Sequence, residues 1–364
     1  MDKKKIAAVV AIVVFALAGV VLRVITDRSE IRRTWEDFRA AEYAGGEGTQ
    51  DSPYLIETPE QLAKLAYDAN SGVPTKDVYY KLANDIKLSQ YNWKPIGENV
   101  AFEGFFNGGK HTITGLKIRE RENAANYGLF GILGGEVKSL KIKNAAIGIN
   151  FASARKNWQQ DKEIFVGNLA GIITGRVVNV KITGEGEIEG AGKLTVGYLA
   201  GAVDGAQLEN VNLNGRMIIE NDQSIIWGGY AGVCKGAVKL VNCMVKCRTH
   251  YNSKLCADSY FGGAFGTMTD KEPWYLENAK ANVSFRLKDK SIKPGGYAGC
   301  MRAIDSGDVM LRARSMSRIY DTKTKETEYL KYTPDEVTVR EGATPQINGA
   351  TYMLSKNKKR SILK

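Results

Sequence analysis

Short runs of alternating apolar and polar residues recur along the middle of the chain. They read SLKI at 139–142, NVKI at 179–182, NVNL at 210–213, NCMV at 242–245 and NAKA at 278–281. Alternation with a period of two predicts β-strands, because successive side chains of a strand point to opposite faces. Between residues 100 and 310 the sequence contains no apolar stripe of helical period and useful length. The pattern predicts an all-β region of short strands.

A glycine motif precedes these runs and gives their period. It reads YGLFG, GNLAG, GYLAG, GGYAG, GGAFG and GGYAG, ending at Gly131, Gly171, Gly201, Gly232, Gly266 and Gly299. The spacings are 40, 30, 31, 34 and 33 residues, mostly too short for a propeller blade, which takes about 40 to 45. We therefore predict a parallel β-helix, a solenoid in which each repeat forms one coil of about three strands.

The motif residues receive roles from this prediction. We expect the glycines to adopt positive φ or to approach a neighbouring backbone closely, and the larger motif residues to alternate into and out of the core. Asn179, Asn210, Asn242 and Asn278 share one offset, so stacked coils would place them in a column whose amides bond to one another. We interpret this column as structural rather than as a binding site.

A short amphipathic helix is predicted upstream of the repeats. Thr58 as N-cap, Pro59 at the first position and Gln61 form a capping-box pattern, and Leu62, Leu65 and Ala66 follow as an apolar stripe. Terminal units of a solenoid need a cap, and we expect the helix to cover the open end. The segments from Tyr79, at 92–97 and at 102–118 are interpreted as the first coils.

The order of these segments resembles a known family. GT at 48–49, PYLI at 53–56, T-x-x-QL-x-x-LA at 58–66, Y-x-L-x-NDI-x-L at 80–88, W-x-PIG at 93–97, F-x-G-x-F-N-G-x-x-HTI-x-GL-x-I at 102–118 and the repeated VG-x-LAG resemble bacterial cell-surface proteins with GLUG repeats. Similar segments occur in adhesins and in non-catalytic regions of immunoglobulin A protease-type surface enzymes. The resemblance covers residues 48–307 and implies a right-handed parallel β-helix at a bacterial surface. It supplies no catalytic residue.

The N-terminus predicts export. A basic MDKKK precedes the apolar or glycine segment Ile6 to Leu22, which is near the lower length limit of a membrane span and longer than most signal cores. We interpret it as an uncleaved membrane anchor, with a signal cleaved after Ala18 as the alternative. The sequence divides into this segment (1–25), a juxtamembrane linker or helix (26–47), an N-terminal cap with first coils (48–125), repeat coils (126–309) and a C-terminal cap with basic tail (310–364).

The net charge of +11 does not indicate a nucleic-acid partner. Residues 1–33 contribute +4 and residues 356–364 contribute +5, which leaves +2 for everything between them. A nucleic-acid-binding domain is expected to carry its basic stripe on the fold itself. We therefore expect no nucleic-acid ligand, and a monomer that contacts the membrane through Ile6 to Leu22 and a glycan or surface protein through its side face.

The five cysteines give no evident disulfide framework. Cys243 and Cys247 are about 13 Å apart on an extended strand, beyond disulfide reach, and Cys234 and Cys300 are separated by about two strand spacings. Cys243 takes the place that Val180 and Val211 have in earlier repeats, which predicts a buried apolar role. The chain has two histidines and no zinc-ligand spacing, so no metal or cofactor is expected.

Enzyme motifs are incomplete. GFFNGGK at 104–110 matches the start of a P-loop, but His111 replaces the Mg²⁺-binding residue and a strand, not a helix, is predicted to follow. Ser153 and Lys156 form an SxxK without its partner motifs, and HExxH and GxSxG are absent from the sequence.

Two function classes follow. The favoured hypothesis is a non-enzymatic, membrane-anchored surface protein for adhesion or envelope contact. A structural stalk of a larger envelope complex would have the same sequence features. The alternative is a polysaccharide lyase or glycoside hydrolase. A hydrolase needs two carboxylates about 5 to 9.5 Å apart, whereas Glu103, Asp204, Asp258 and Asp305 do not align in adjacent coils, and Trp93, Trp158, Trp227 and Trp274 are scattered. An acidic and aromatic cleft would distinguish the two classes.

Overall fold

The computed structural model describes most of the chain from residue 33 to residue 287. The described ranges are 33–120, 125–149, 163–190, 192–221, 223–251, 259–268, 275–277, 279–287, 298–301, 310–311, 313–321, 327–330, 353–354 and 361–363. The anchor or signal predicted at Ile6 to Leu22 lies outside them. Within them, no helix is long and apolar enough to cross a bilayer.

The described chain is dominated by parallel β-sheets. Sheet 1 contains β1 (Tyr54–Ile56), β2 (Tyr79–Leu82), β4 (Phe105–Asn107), β9 (Glu136–Lys138), β14 (Arg176–Val178), β18 (Gln207–Glu209), β22 (Lys239–Val241), β26 (Tyr275–Glu277) and β29 (Met310–Leu311). Sheet 2 contains β3 (Ile86–Lys87), β5 (Thr112–Thr114), β6 (Lys117–Glu120), β10 (Lys141–Lys143), β11 (Ala146–Ile149), β15 (Lys181–Gly190), β19 (Asn212–Asn221), β23 (Met244–Tyr251), β27 (Lys280–Leu287), β30 (Ala313–Asp321), β31 (Thr327–Leu330), β32 (Met353–Leu354) and β33 (Ser361–Leu363).

Two smaller sheets contain the glycine motif. Sheet 3 contains β7 (Asn126–Tyr127), β12 (Ile164–Val166), β16 (Leu194–Gly197), β20 (Ile225–Gly228) and β24 (Tyr260–Gly262). Sheet 4 contains β8 (Phe130–Leu133), β13 (Ala170–Ile173), β17 (Ala200–Asp204), β21 (Ala231–Lys235), β25 (Phe265–Met268) and β28 (Ala298–Met301). A full repeat therefore supplies four strands, one to each sheet, and the expected three per coil is wrong. The difference arises because the chain bends inside the motif, between β16 and β17 for example.

The register confirms the alignment of the repeats. The residue before the last motif glycine pairs from coil to coil, in the order Phe130, Ala170, Ala200, Ala231, Phe265 and Ala298. In sheet 2, Ile113, Ile142, Ile182, Leu213 and Val245 form a column inside the core. The column extends through five neighbouring strands because parallel pairing keeps equivalent residues side by side.

The motif itself is buried on both sides, so the predicted alternation into and out of the core is wrong there. Every residue from Leu194 to Val203 is buried. Sheets 3 and 4 pack against each other at the motif glycines, and a Cβ on Gly201 would lie only 2.6 Å from the backbone nitrogen of Val166. Of the two roles expected for these glycines, Gly201 therefore has close backbone approach.

The asparagine column lies at a corner, between sheet 1 and sheet 2. Ser139, Asn179, Asn210 and Asn242 all have φ between 53° and 55°, in the left-handed region that asparagine tolerates better than most residues. The Nδ2 of Asn210 donates to Oδ1 of Asn179 at 3.0 Å, which confirms the amide ladder for that pair. Asn278 lies outside the described residues.

Helix α1 (Pro59–Asn70) follows β1, the edge strand of sheet 1. Oγ1 of Thr58 accepts from the N–H of Gln61 at 3.3 Å, while the Gln61 side chain accepts from the N–H of Glu57, one residue before the N-cap. Thr58 is confirmed as the N-cap. The return hydrogen bond of the capping box goes to the N–H of Glu57 instead of the N–H of Thr58. Leu62, Leu65 and Ala66 are buried in the continuous core, together with Ala63 and Ala69. A 3₁₀ helix, Trp35–Phe38, precedes this region.

The connections between sheet 2 and sheet 3 differ in length. Residues 150–163 join β11 to β12, whereas residues 191–193 join β15 to β16 and residues 222–224 join β19 to β20. The stack continues beyond residue 309 in β29 and β30, after which β31 and β33 pair antiparallel with β30.

Candidate ligand-binding cleft

An open cleft of about 530 Å³ lies at the N-terminal end of the stack. Its lining combines Tyr43, Tyr54 and Tyr80 with Lys64 and Asp68 of helix α1. Binding sites for small ligands typically combine aromatic side chains with a few polar groups that fix orientation. We refer to this site as the tyrosine cleft.

A tight loop brings Tyr43 beside Tyr54. The N–H of Ala44 donates to the carbonyl of Leu55 at 2.9 Å, and the N–H of Leu55 donates to the carbonyl of Gly45 at 2.8 Å. Between these strands Gly46 has a φ of 89°, and a Cβ there would collide with the carbonyl oxygen of Pro53. The loop therefore needs glycine at this position.

The three tyrosines form one aromatic cluster. The Tyr43 and Tyr54 rings stack with centroids 4.6 Å apart and planes 25° apart. Tyr80 lies in register beside Tyr54 and meets the Tyr43 ring edge-on at 5.9 Å. Tyr80 is buried, whereas Tyr43 and Tyr54 are partly exposed, so the cluster has a rigid base and accessible rings.

Polar groups from helix α1 border these rings. The Tyr43 hydroxyl donates to Oδ2 of Asp68 at 3.0 Å, and Nζ of Lys64 lies 2.9 Å from the same oxygen. Lys64 Nζ is also 5.1 Å from the Tyr43 ring centroid. Lys64 and Asp68 are four residues apart on the helix, which places both side chains on one face.

Burial holds the phenols of Tyr43 and Tyr80 in their neutral form. Desolvation, followed by the charges of Tyr80 and Asp68, raises the pKa of Tyr43 far above its usual range. Desolvation and the charge of Asp68 also raise the pKa of Tyr80. Both groups remain hydrogen-bond donors at neutral pH.

A second, smaller groove of about 230 Å³ also adjoins β2. Tyr79 and Phe105 stack there at 4.4 Å, with 10° between their planes, and Asn107, Glu136 and Lys138 complete the lining. Tyr80 lines both grooves, whereas Tyr79 lines the smaller one and not the tyrosine cleft.

The acidic residues considered from the sequence are not brought together among the described residues. Glu103 is exposed just before β4, and Asp204 is 3.5 Å from Lys235 at the end of β17. Their segments lead into strands of sheet 1 that are three spacings apart, about 14 Å, which exceeds the separation of a glycosidase pair. Asp258 and Asp305 lie outside the described residues.

The tryptophans contribute to the core where they are described. Trp93 and Trp227 are fully buried, and Nε1 of Trp93 donates to the carbonyl of Leu129 at 3.0 Å. Trp158 and Trp274 lie outside the described residues. The partial P-loop at 104–110 leads into strand β5, as predicted, and His111 Nδ1 lies 3.2 Å from Asp85. Ser153 and Lys156 lie outside the described residues.

Cys234, Cys243 and Cys247 are buried, which confirms the predicted burial of Cys243. Burial raises the pKa of Cys243 and of Cys247 to about 12. The side chain of Cys300 and the whole of Cys256 lie outside the described residues. Among those described, no cluster of three or more metal-ligating side chains occurs.

The sequence analysis did not identify the three cleft tyrosines. The chain contains 17 tyrosines, and the three approach one another only through the loop at Gly46 and the pairing of β1 with β2. One usable signal was available, since YLI at 54–56 and YKL at 80–82 share an apolar pattern and pair in register with Tyr54 beside Tyr80.

Parts of the chain are similar in sequence to known proteins, and most of it is similar in fold to a solved structure. No protein-family profile matches the chain. A protein of Evansella cellulosilytica, provisionally named a Gly-rich membrane protein, is 35% identical over 150 residues, which are 38% of this chain and 15% of that protein. Halomucin of Haloquadratum walsbyi is 30% identical over 199 residues, 51% of this chain and 2% of that protein. The chain therefore spans only a small part of either relative.

The fold is similar to a solved structure from Bacteroides ovatus, provisionally named an immunoglobulin A1 protease. The TM-score is 0.51 at 17% identity, over 85% of this chain and 87% of that one. The similarity in fold extends over most of both chains. At this identity it concerns the fold alone.

Proposed function

We propose that the protein is an exported, non-enzymatic component of a bacterial surface that binds a glycan in the tyrosine cleft. In this proposal the parallel sheets form a right-handed parallel β-helix with GLUG-type repeats. The segment Ile6 to Leu22 anchors the monomer, and it precedes in the sequence the first residues that line the cleft, Ala41 to Tyr43. The names of the bacterial membrane relative and of the protease-like structural neighbour support a place at the cell envelope.

One observation carries the proposed ligand class. The stacked Tyr43 and Tyr54 rings line an open cleft beside Asp68 and Lys64. A sugar ring has an apolar face of C–H groups, which can lie on an aromatic ring, and a rim of hydroxyls, which can bond to charged side chains. The cleft offers both kinds of contact within one space, and its buried base limits the entropy lost on binding.

The protonation of the cleft favours binding over catalysis. A tyrosine that acts as a base in a lyase needs a pKa near the working pH, whereas burial raises that of Tyr43. The carboxylate of Asp68 is occupied by Tyr43 and Lys64. These contacts position a ligand, and they supply no general base.

The test is glycan-array and peptidoglycan binding by the full-length protein in nonionic detergent, followed by calorimetry of any hit. Tyr43→Ala and Tyr54→Ala should each weaken binding by about 2- to 12-fold, the equivalent of one aromatic contact. Tyr91→Ala is the matched control, because Tyr91 is also a half-buried stacked ring, on Phe38 at 4.2 Å, and does not line the cleft. Equal losses in all three variants, or no glycan ligand, would reject the cleft as the site.

A polysaccharide lyase or glycoside hydrolase is the alternative, because the cleft lining also contains the carboxylates of Glu42 and Glu47. Mass spectrometry of the recovered ligand separates the two functions. An intact ligand supports binding. A shortened or unsaturated product that disappears in Glu42→Gln or Glu47→Gln would establish catalysis.

A further inference from the structure

Lysines are aligned on the outer face of sheet 2, whereas the strands that line the tyrosine cleft belong to sheet 1. Lys141 of β10 pairs in register with Lys181 of β15. Lys143 projects from the same face of β10, two residues after Lys141, while Lys87 of β3 and Lys246 of β23 extend the series to either side. We refer to these five residues as the lysine face.

The core fixes the direction of these side chains. Ile142, between Lys141 and Lys143, is fully buried, as are Ile113, Leu213 and Val245 at equivalent positions. Since side chains alternate along a strand, the flanking residues must point outward. All five lysines are exposed.

The outward positions next to the lysines are neutral, and the exposed Glu185, Glu187 and Glu189 follow further along β15. Between and beside the lysines lie Thr112, Thr114, Thr183, Asn212, Asn214 and Met244. Asp85, one residue before β3, accepts from the N–H of Thr112 at 2.9 Å and contacts His111. The hydrogen bond from Thr112, the contact with His111 and, to a smaller extent, the charge of Lys141 lower the pKa of Asp85, so this carboxylate lies within electrostatic reach of the lysine face. In the described part of the chain, none of the five lysines forms an ion pair.

On sheet 1 the outward-facing charges of neighbouring strands form ion pairs. Arg176 of β14 reaches Glu136 of β9 at 2.7 Å and Glu209 of β18 at 3.1 Å. Charge is thus neutralised from strand to strand on that face. On sheet 2 the same stacking brings Lys141 beside Lys181, and like charges placed directly opposite each other destabilise a sheet.

We propose that the lysine face binds a linear anionic polysaccharide laid across the strands. Neighbouring strands are about 4.8 Å apart, so the face from Lys87 to Lys246 is about 24 Å long. A polymer with regularly spaced carboxylates would offer an anion to each lysine and relieve the repulsion between Lys141 and Lys181. The hydroxyls of Thr112 and Thr183 and the amides beside them can bond to sugar hydroxyls.

The composition of the face favours a polysaccharide over single-stranded nucleic acid. Proteins that bind single strands without sequence preference stack bases on aromatic side chains. The outward positions named above contain lysine, threonine, asparagine and one methionine, and they contain no aromatic residue. This surface goes beyond the proposed function, since it involves neither the tyrosine cleft nor a neutral sugar.

The test uses the full-length protein and polygalacturonate as the probe. Binding should be saturable at low ionic strength and should fall steeply between 0.1 M and 1 M salt, where the Debye length shortens from about 10 Å to about 3 Å. Fully methyl-esterified polygalacturonate, which lacks the charges, should not bind. The triple variant Lys141→Gln, Lys143→Gln, Lys181→Gln should weaken binding by about tenfold or more, at a few-fold per exposed contact.

A triple variant of equal charge change provides the control. Lys138→Gln, Lys235→Gln, Lys239→Gln removes three lysines from sheets 1 and 4, and it should retain near wild-type affinity. Circular dichroism of both triples checks folding. Equal losses in the two triples, or equal binding of the esterified polymer, would overturn the proposal.

Single-stranded DNA and inorganic polyphosphate complete the set of probes. Tighter binding of either one than of polygalacturonate would refute a polysaccharide as the ligand. The Tyr43→Ala variant keeps the two sites distinct, because it should leave polygalacturonate binding unchanged. Failure at one surface therefore leaves the other proposal standing.

Discussion

Asn210 provides the sharpest test of how the coils turn from sheet 1 into sheet 2. Its φ is 54°, and Asn179 and Asn242 in the adjacent coils have nearly the same value. Its side chain donates to Asn179 at 3.0 Å and is exposed. Two effects are therefore combined at this corner, a left-handed backbone and an amide ladder.

The two effects can be separated by size. A left-handed conformation costs an ordinary L-residue about 1–2 kcal/mol, while an exposed hydrogen bond contributes about 0.5 kcal/mol, at the low end of its range. Asn210→Ala should therefore lower the free energy of unfolding by about 1–2 kcal/mol. Asn210→Gly loses the same hydrogen bond but removes the backbone strain, and it should stay within about 0.5 kcal/mol of wild type after the entropy of glycine is included. Asn210→Val should be the least stable, since β-branched residues avoid positive φ.

Urea unfolding followed by circular dichroism measures these differences. The control is Asn214→Ala, an exposed asparagine four residues later with no positive φ, which should change stability by less than about 0.5 kcal/mol. If glycine and alanine at position 210 were equally destabilising, the ladder and not the backbone would determine the turn. That result would refute the conformational explanation.

Three further changes test the packing and the charges. Gly201→Ala should lower stability by about 1–3 kcal/mol in urea unfolding, because the added Cβ would lie 2.6 Å from the backbone of Val166; Gly148→Ala, whose nearest neighbour is 3.8 Å away, should be nearly neutral. Burial raises the pKa of Cys243 from 9.0 to about 12, so its contribution to stability is complete below pH 9 and declines as the pH rises from 9 towards 12. In a Cys243→Val variant the free energy of unfolding should fall less between pH 9 and pH 12 than in the wild type. An identical pH dependence of unfolding in the two proteins would argue against a buried thiol. Arg176→Gln should cost at most about 1 kcal/mol, with the loss reduced at high salt, because its two ion pairs are largely exposed.

The repeat and its register could be predicted from the sequence, but the number of strands within each repeat could not. Period-two alternation and the glycine spacing predict parallel strands in repeating units, and the pairing of Ala170 with Ala200 agrees with the alignment of the motif. The N-cap at Thr58 could also be predicted, since it depends on neighbouring residues only. The fourth strand could not, because the bend between Tyr198 and Ala200 is caused by packing of sheet 3 on sheet 4.

The candidate sites were harder to predict for a similar reason. Tyr43, Tyr54 and Tyr80 meet through a glycine loop and a strand pairing that no local pattern encodes. The lysine face was present in the aligned repeats, as Lys141 and Lys181 each follow the corner residue by two positions. The net charge does not reveal it, because the lysine face appears only when residues at the same position of successive repeats are compared.

The unequal connections between sheet 2 and sheet 3 have a consequence for how such a molecule can diversify. Residues 150–163 replace a three-residue link without displacing the strands on either side, since β11 and β12 still pair in register with β15 and β16. Doubling the length of a flexible loop costs only about 0.6 kcal/mol. The register of the sheets therefore tolerates connections of different length between sheet 2 and sheet 3, and such a connection is the natural place to insert a tag or a foreign epitope.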